Sequence, residues 1–135
     1  MSLLQWKSNA MNQKIPEIKK MVNQELVNLY ASVSEDHNPL HYDPIVAKKT
    51  QFKKPIAHGM LILAFVSEAM TSVYAEQWYL TGIIDIKWKG AAIQPVLVRT
   101  DINFLKNEGN RAIYQAKCFN ELDELLLEGT VSVEL

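Results

Sequence analysis

Apolar positions along this chain repeat with two different periods, and the change between them falls near Gly82. Upstream, Leu26, Leu29, Tyr30 and Val33 recur at helical spacing behind Asn23, a helix-capping residue type, with Glu25 in the first turn. Val22 and Val27 have the spacing of a hydrophobic staple, so a short amphipathic helix is expected to run up to Asp36. Asp43-Pro44 has the cap-then-proline order of a second, brief helix over Ile45 to Lys49. From Met60 to Met70, the residues Leu61, Ile62, Leu63, Phe65 and Val66 leave no clear polar face, which predicts a helix buried on every side.

Beyond Gly82 the period is two. Ile84, Ile86 and Trp88 alternate with Asp85, Lys87 and Lys89, and Val96, Val98, Ile102 and Phe104 alternate with Arg99, Asp101 and Asn103. Ala112, Tyr114, Ala116 and Cys118 form a third such face, and Gly129, Val131, Val133 and Leu135 a fourth. Asn107-Glu108-Gly109-Asn110 and Asn120-Glu121-Leu122-Asp123 have hairpin-turn composition. With an early strand around Gln13 to Met21, the order is one strand, then helices, then four antiparallel strands. An α+β domain follows, in which an antiparallel sheet of about five strands wraps one central buried helix.

At 135 residues, with no repeat, low-complexity tract or linker, the chain is read as one domain over 1–135. A domain of this size buries roughly 70% of its unfolded surface and needs no covalent staple. The single cysteine, Cys118, cannot close an internal disulfide, and its place in an alternating strand makes it a small buried residue. The net charge of −1 argues against a general nucleic-acid binder. No apolar run reaches membrane-spanning length, and the N-terminal residues lack the order of a signal peptide. A cytoplasmic protein without membrane insertion is therefore expected.

Candidate chemistry gathers at two places. Asp36 and His41 flank Asn38-Pro39, whose proline fixes its own φ and biases Asn38 away from helix, so a carboxylate and an imidazole can be held as a preformed pair. A lone Asp or His in a loop more often caps a turn or bonds a carbonyl; the pairing across Asn-Pro weighs against that. Gly59 then stands at the mouth of the apolar helix, where a backbone N–H can face a developing oxyanion, although glycine at a helix start also serves close packing. His58 beside it is read as a structural hydrogen-bonder, since no Cys, Glu or third His has metal-site spacing. His37 is expected to be exposed. Ser67 would point inward from a buried helix, bonding either a functional group or a carbonyl one turn back. Lys48, Lys49, Lys53 and Lys54 form a basic cluster, either solvated surface or a contact for anions. Ala64, Met60 and Leu63 are the small or flexible helix residues expected to yield space beside Gly59.

The pattern Ser34-x-Asp36-x-Asn38-Pro39-Leu40-His41, with Ala57-His58-Gly59-Met60 downstream, resembles the MaoC-like family of (R)-specific enoyl-thioester hydratases and dehydratases, from about Ile15 to the C-terminus. The resemblance implies a hot-dog fold and a lyase that hydrates 2-enoyl thioesters or dehydrates (R)-3-hydroxyacyl thioesters. It assigns Asp36 and His41 as the catalytic dyad, the Gly59 amide as the oxyanion donor, and Asn38 and Ser67 as supporting residues. Lys53 and Lys54 would meet the phosphates of coenzyme A or an acidic acyl carrier protein. No metal or redox cofactor is implied, because the pantetheine thioester arrives with the substrate. Similar proteins form homodimers by joining their sheets edge to edge. Two departures stand out: Glu35 occupies a position where the family usually has glycine, and Trp88 to Val96 replaces its aromatic, Pro-Val and Gly-Asp segment. The rivals are a hot-dog thioesterase and a non-catalytic acyl-thioester-binding subunit of a heteromeric dehydratase.

Overall fold

The computed structural model describes residues 13–135; the rest of the expected domain, residues 1–12, lies outside the described residues. The elements, in chain order, are β1 (Lys19–Val22), α1 (Gln24–Ser34), a 3₁₀ turn (Pro39–His41), α2 (Pro44–Lys48), α3 (Gly59–Tyr74), α4 (Glu76–Thr81), β2 (Ile83–Trp88), β3 (Val96–Glu108), β4 (Arg111–Phe119) and β5 (Leu125–Glu134). The five strands form one antiparallel sheet in the order β1-β3-β4-β5-β2. Helix α3 lies along the concave face of this sheet, as the two sequence periods predict.

The core is the seam between α3 and the sheet. Val98, Ala112, Tyr114, Ala116, Cys118, Val131 and Val133 are fully buried from β3, β4 and β5, and Val66, Ala69 and Met70 meet them from the helix. Each large apolar side chain so buried contributes about 1.5–3 kcal/mol, so the helix is held to the sheet far more firmly than its backbone bonds alone would hold it. Tyr114 also shares a buried hydroxyl hydrogen bond with Tyr74 of α3. Burial pushes the Cys118 thiol up to about 12, in keeping with a packed and unreactive strand residue.

The outlines of several elements differ from expectation. Helix α3 is not buried on every side: Met60 is 54% exposed, and Ala64, Glu68 and Thr71 continue an outward stripe at helical spacing. Because Met60 and Ala64 are themselves apolar, composition conceals that stripe. On α1 the inward residues are Val27 and Ala31, each two positions before Leu29 and Val33, which point to solvent; the Asn23 cap bonds the Leu26 N–H as expected. Strand β1 covers only Lys19–Val22, since Pro16 has no N–H to donate to a ladder, although Ile18 exchanges bonds with Thr100 just before it. In β2 the alternation does not bury one face, because β2 is a sheet edge and Ile84 and Trp88 remain exposed. Helix α4, set off from α3 by Ala75 at φ 49°, buries Trp78 and had no sequence-level forecast.

Gly129 shows how tightly the sheet curls. A Cβ there would lie 2.1 Å from the Asp85 carbonyl oxygen and 2.6 Å from the Ile86 Cα, both backbone atoms of the paired strand β2. Gly129→Ala should therefore destabilise the fold by about 1–3 kcal/mol, the usual cost of overpacking. Urea unfolding is the check: the midpoint should fall with an unchanged slope, and a wild-type midpoint would mean that β2 and β5 can part freely.

Candidate active site

Helix α1 ends by handing the chain to the dyad turn. The Ser34 hydroxyl donates to the Tyr30 carbonyl (2.8 Å) and accepts from the Asp36 N–H (3.2 Å). Glu35 between them takes a left-handed backbone, φ 61°, as the helix C-cap. Glycine reaches that region most cheaply, in keeping with the glycine that the family resemblance implies at this position. Glu35 tolerates it with its side chain exposed.

The turn is then fixed by two side-chain-to-backbone bonds in succession. Asp36 Oδ1 accepts from the Asn38 N–H (3.2 Å), and Asn38 Oδ1 accepts from the Leu40 N–H (3.1 Å). Asn38 takes the extended backbone that a following proline imposes, and Pro39 opens the 3₁₀ turn that delivers His41. Asp36 Oδ2 consequently stands 3.9 Å from His41 Nε2, with half of the carboxylate side chain in solvent and the imidazole nearly buried. His41 Nδ1 lies 2.8 Å from the Ile56 carbonyl oxygen, which can only accept, so Nδ1 carries a hydrogen and Nε2 is the ring nitrogen turned toward Asp36. The His41 carbonyl is itself held by two amide donors, Gln24 Nε2 and Gln94 Nε2, each at 3.0 Å.

The segment Ile56 to Gly59 threads between this turn and the loop after β2. Ile56 N–H bonds the Leu40 carbonyl and Ala57 N–H bonds the Ala92 carbonyl. His58 Nε2 donates to the Asp36 carbonyl (3.0 Å), and its ring stacks on His41 with centroids 3.8 Å apart. Gly59 begins α3, and its N–H has no acceptor among the described residues. A Cβ on Gly59 would lie 2.6 Å from Trp88 Nε1, so this glycine also satisfies the close-packing role considered for it. Beside it opens a mostly apolar cavity of about 410 Å³, bounded by Phe52, Gly59, Ile62, Trp88, Ala92 and Leu126.

Asp36, His41 and His58 each present a donor atom within 4.8 Å of the others. Imidazole lone pairs lie in the ring plane, however, and two rings stacked at 28° do not converge on a common ion without one of them turning. The donor set suits proton transfer better than coordination.

Asp36, Asn38 and His41 share one turn, Gly59 directly follows His58, whose side chain contacts that turn, and His37 is exposed. Ser67 goes elsewhere. Its Oγ accepts from Trp78 Nε1 (2.8 Å) on α4, so its partner is neither the dyad nor the carbonyl one turn back. The reason is α4 itself, which brings an indole donor against that part of α3. Lys53 and Lys54 are exposed next to Phe52 at the cavity rim, and none of Lys48, Lys49, Lys53 and Lys54 has a carboxylate partner among the described residues. Space beside α3 opens at Ile62 and not at Ala64, which faces outward. Gln24, Gln94 and Trp88 were missed as site residues. Only Gln94, a polar side chain in an otherwise apolar run before Pro95, carried a visible signal.

Comparison with known proteins agrees with this geometry. The family model described as the MaoC like domain matches residues 7–117. The (R)-specific enoyl-CoA hydratase of Aeromonas caviae is 29% identical over 111 residues, covering 81% of this chain and 83% of that protein. A mitochondrial 3-hydroxyacyl-[acyl-carrier-protein] dehydratase of Arabidopsis thaliana is 26% identical over 110 residues, covering 80% of this chain and 66% of the relative. The unliganded R-hydratase of Pseudomonas aeruginosa superimposes with a TM-score of 0.79 at 24% identity, over 93% of this chain and 83% of that one. The chain belongs to the MaoC-like hydratase and dehydratase family, and its curled sheet around α3 is the hot-dog fold.

Proposed function

We propose that the protein catalyses the reversible hydration of 2-enoyl thioesters to (R)-3-hydroxyacyl thioesters, carried by coenzyme A or acyl carrier protein. The observation that carries this reading is the Asp36–His41 pair, bonded through Nδ1 to Ile56 of the segment that leads to Gly59, whose N–H has no acceptor among the described residues. In hydration, Asp36 and His41 hold a water between Oδ2 and Nε2. As its oxygen bonds the β-carbon, the pair takes its proton; a proton then passes from the pair to the α-carbon on the same face. The Gly59 N–H stabilises the enolate-like thioester oxygen formed between those events. Every atom added comes from water and no electron is exchanged, so the reaction asks for no redox group. Two copies are proposed to join through the outer edge of β2, where Ile83 and Ile84 are exposed and the ladder is open.

Positioned acid/base groups contribute typically about 10²- to 10⁴-fold to rate. Asp36→Asn and His41→Ala should each lower kcat by at least about 10²-fold with short and medium 2-enoyl-CoA substrates. Because Asn can still accept from the Asn38 N–H, Asp36→Asn should leave the thermal midpoint nearly unchanged. Full activity in either variant would sink the mechanism, and release of free thiol together with a free 2-enoic acid whose double bond is intact would point to a thioesterase.

The cavity beside Gly59 is proposed to take the acyl chain. Ile62→Phe should shift preference toward shorter chains, whereas Ala64→Leu, on the outward stripe, should leave the chain-length profile unaltered. The opposite pattern would place the chain on the other side of α3.

Lys53 and Lys54, exposed, next along the chain to Phe52 of the cavity and without a carboxylate partner among the described residues, are proposed to meet the anionic carrier end of the substrate. Their replacement by Gln should raise KM most at low salt, with kcat nearly unchanged, since screening shortens to about 8 Å near physiological ionic strength. A KM insensitive to both the double change and salt would leave the lysines as solvated surface.

A further inference from the structure

We propose that His58 is the positioning residue that holds Asp36, His41 and the Gly59 amide in one alignment, an inference that rests on the reading of Asp36 and His41 as the reacting groups. Three contacts converge on this side chain. Its Nε2–H donates to the backbone carbonyl of Asp36 at 3.0 Å, which anchors the residue that carries the carboxylate. Its ring stacks on the His41 imidazole, 3.8 Å between centroids and 28° between planes, which limits the rotation by which Nε2 of His41 would swing away from Asp36. Its own main chain leads directly into Gly59, because His58 is the N-cap residue of α3. Tyr30 of α1 closes another side, 4.8 Å away between centroids. One buried residue therefore touches both members of the pair and precedes the oxyanion amide.

What remains unpaired on His58 separates positioning from mere packing. The residue is 3% exposed, and once Nε2 carries the hydrogen, Nδ1 is left as a buried acceptor without a partner among the described residues. A buried unsatisfied nitrogen destabilises the fold, and an apolar ring at this position would remove that penalty. It would also remove the tie to the Asp36 carbonyl. Nor does His58 cap α3 with its side chain, the usual stabilising duty at this position: its Nε2–H goes to the dyad turn, and Nδ1, the ring atom able to accept, takes no helix N–H among the described residues. Histidine here is understandable as a placement device, in a reaction where a misplacement of about 1 Å can cost about 10²-fold in rate.

Two substitutions divide the contacts. His58→Phe keeps a ring against His41 and deletes the donor to Asp36; His58→Gln keeps a donor and deletes the ring. With a 2-enoyl-CoA substrate, kcat should fall about 10-fold or more in His58→Phe, with KM within about twofold of wild type, and His58→Gln should recover part of the loss. In an Asp36→Asn background the same His58→Phe change should have little further effect, because the group it positions is gone. Amide hydrogen exchange supplies a readout that needs no turnover: in His58→Phe, exchange should quicken at Asn38, Leu40 and His41 while the α3 amides keep their protection. If His58→Phe does not fold, lowered kcat at constant KM in His58→Gln decides in favour. Wild-type kcat in a folded His58→Phe protein, a loss confined to KM, or unchanged exchange in the dyad turn would overturn the inference. A wild-type protein inactive on all thioesters would instead overturn the proposed reaction, and the exchange experiment would still decide the role of His58.

Discussion

The hydrogen bond from His41 Nδ1 to the Ile56 carbonyl is the constraint on which the rest of the site depends. It places a hydrogen on Nδ1 and turns Nε2 toward Asp36. It also ties the dyad turn to the segment that continues through His58 into α3. Without that bond the imidazole could present either nitrogen, and the turn would be tied to the segment leading into α3 by the Ile56–Leu40 and His58–Asp36 bonds and the ring stacking of His58 on His41. The bond is made by backbone and so holds whatever side chain stands at position 56. The two amides on the His41 carbonyl, Gln24 from α1 and Gln94 from the loop before β3, then hold the same residue from the opposite end.

Magnitudes separate what the site does from what stabilises the fold. The Asp36–His41 pair is 3.9 Å long and half of the Asp36 side chain is in water, conditions in which ion pairs contribute at most about 1 kcal/mol. The fold does not depend on it. It depends on the apolar seam between α3 and β3, β4 and β5, where buried residues each contribute more than that. The seam fixes the start of α3, and through it the Gly59 amide, at the end of the sheet where Trp88 and the following loop bound the cavity. A rigid helix thus carries the hydrogen-bond donor, and a short turn carries the acid/base pair, each held independently of the other's chemistry.

The Asp36–His41 pairing was legible because it is local: two residues five positions apart on one turn, stiffened by Asn38-Pro39, need no knowledge of tertiary contacts. Strand β4 was legible for a similar reason, since its strict alternation of buried and less buried residues is written in Ala112, Tyr114, Ala116 and Cys118. Strand β5 begins at Leu125, earlier than the alternation from Gly129 suggests, because three consecutive leucines mask the period. The outward stripe of α3 was invisible for the same reason, its first members Met60 and Ala64 being apolar. Contacts between distant parts of the chain could not be read at all. The Gln94 amide on the His41 carbonyl spans 53 positions, the packing of Trp88 on Gly59 joins β2 to α3, and the Trp78 bond that claims Ser67 depends on α4. Each is set by how the sheet curls and not by any local pattern.

The central claim is that a carboxylate–imidazole pair adds the elements of water across a thioester-activated double bond. Turnover of a trans-2-enoyl-CoA in deuterium oxide, followed by mass and chiral analysis of the product, tests this most directly. The mechanism requires an (R)-3-hydroxyacyl-CoA carrying one deuterium at the α-carbon, added from the same face as the hydroxyl. An (S) product, addition from opposite faces, or free coenzyme A with an intact enoyl chain would contradict it.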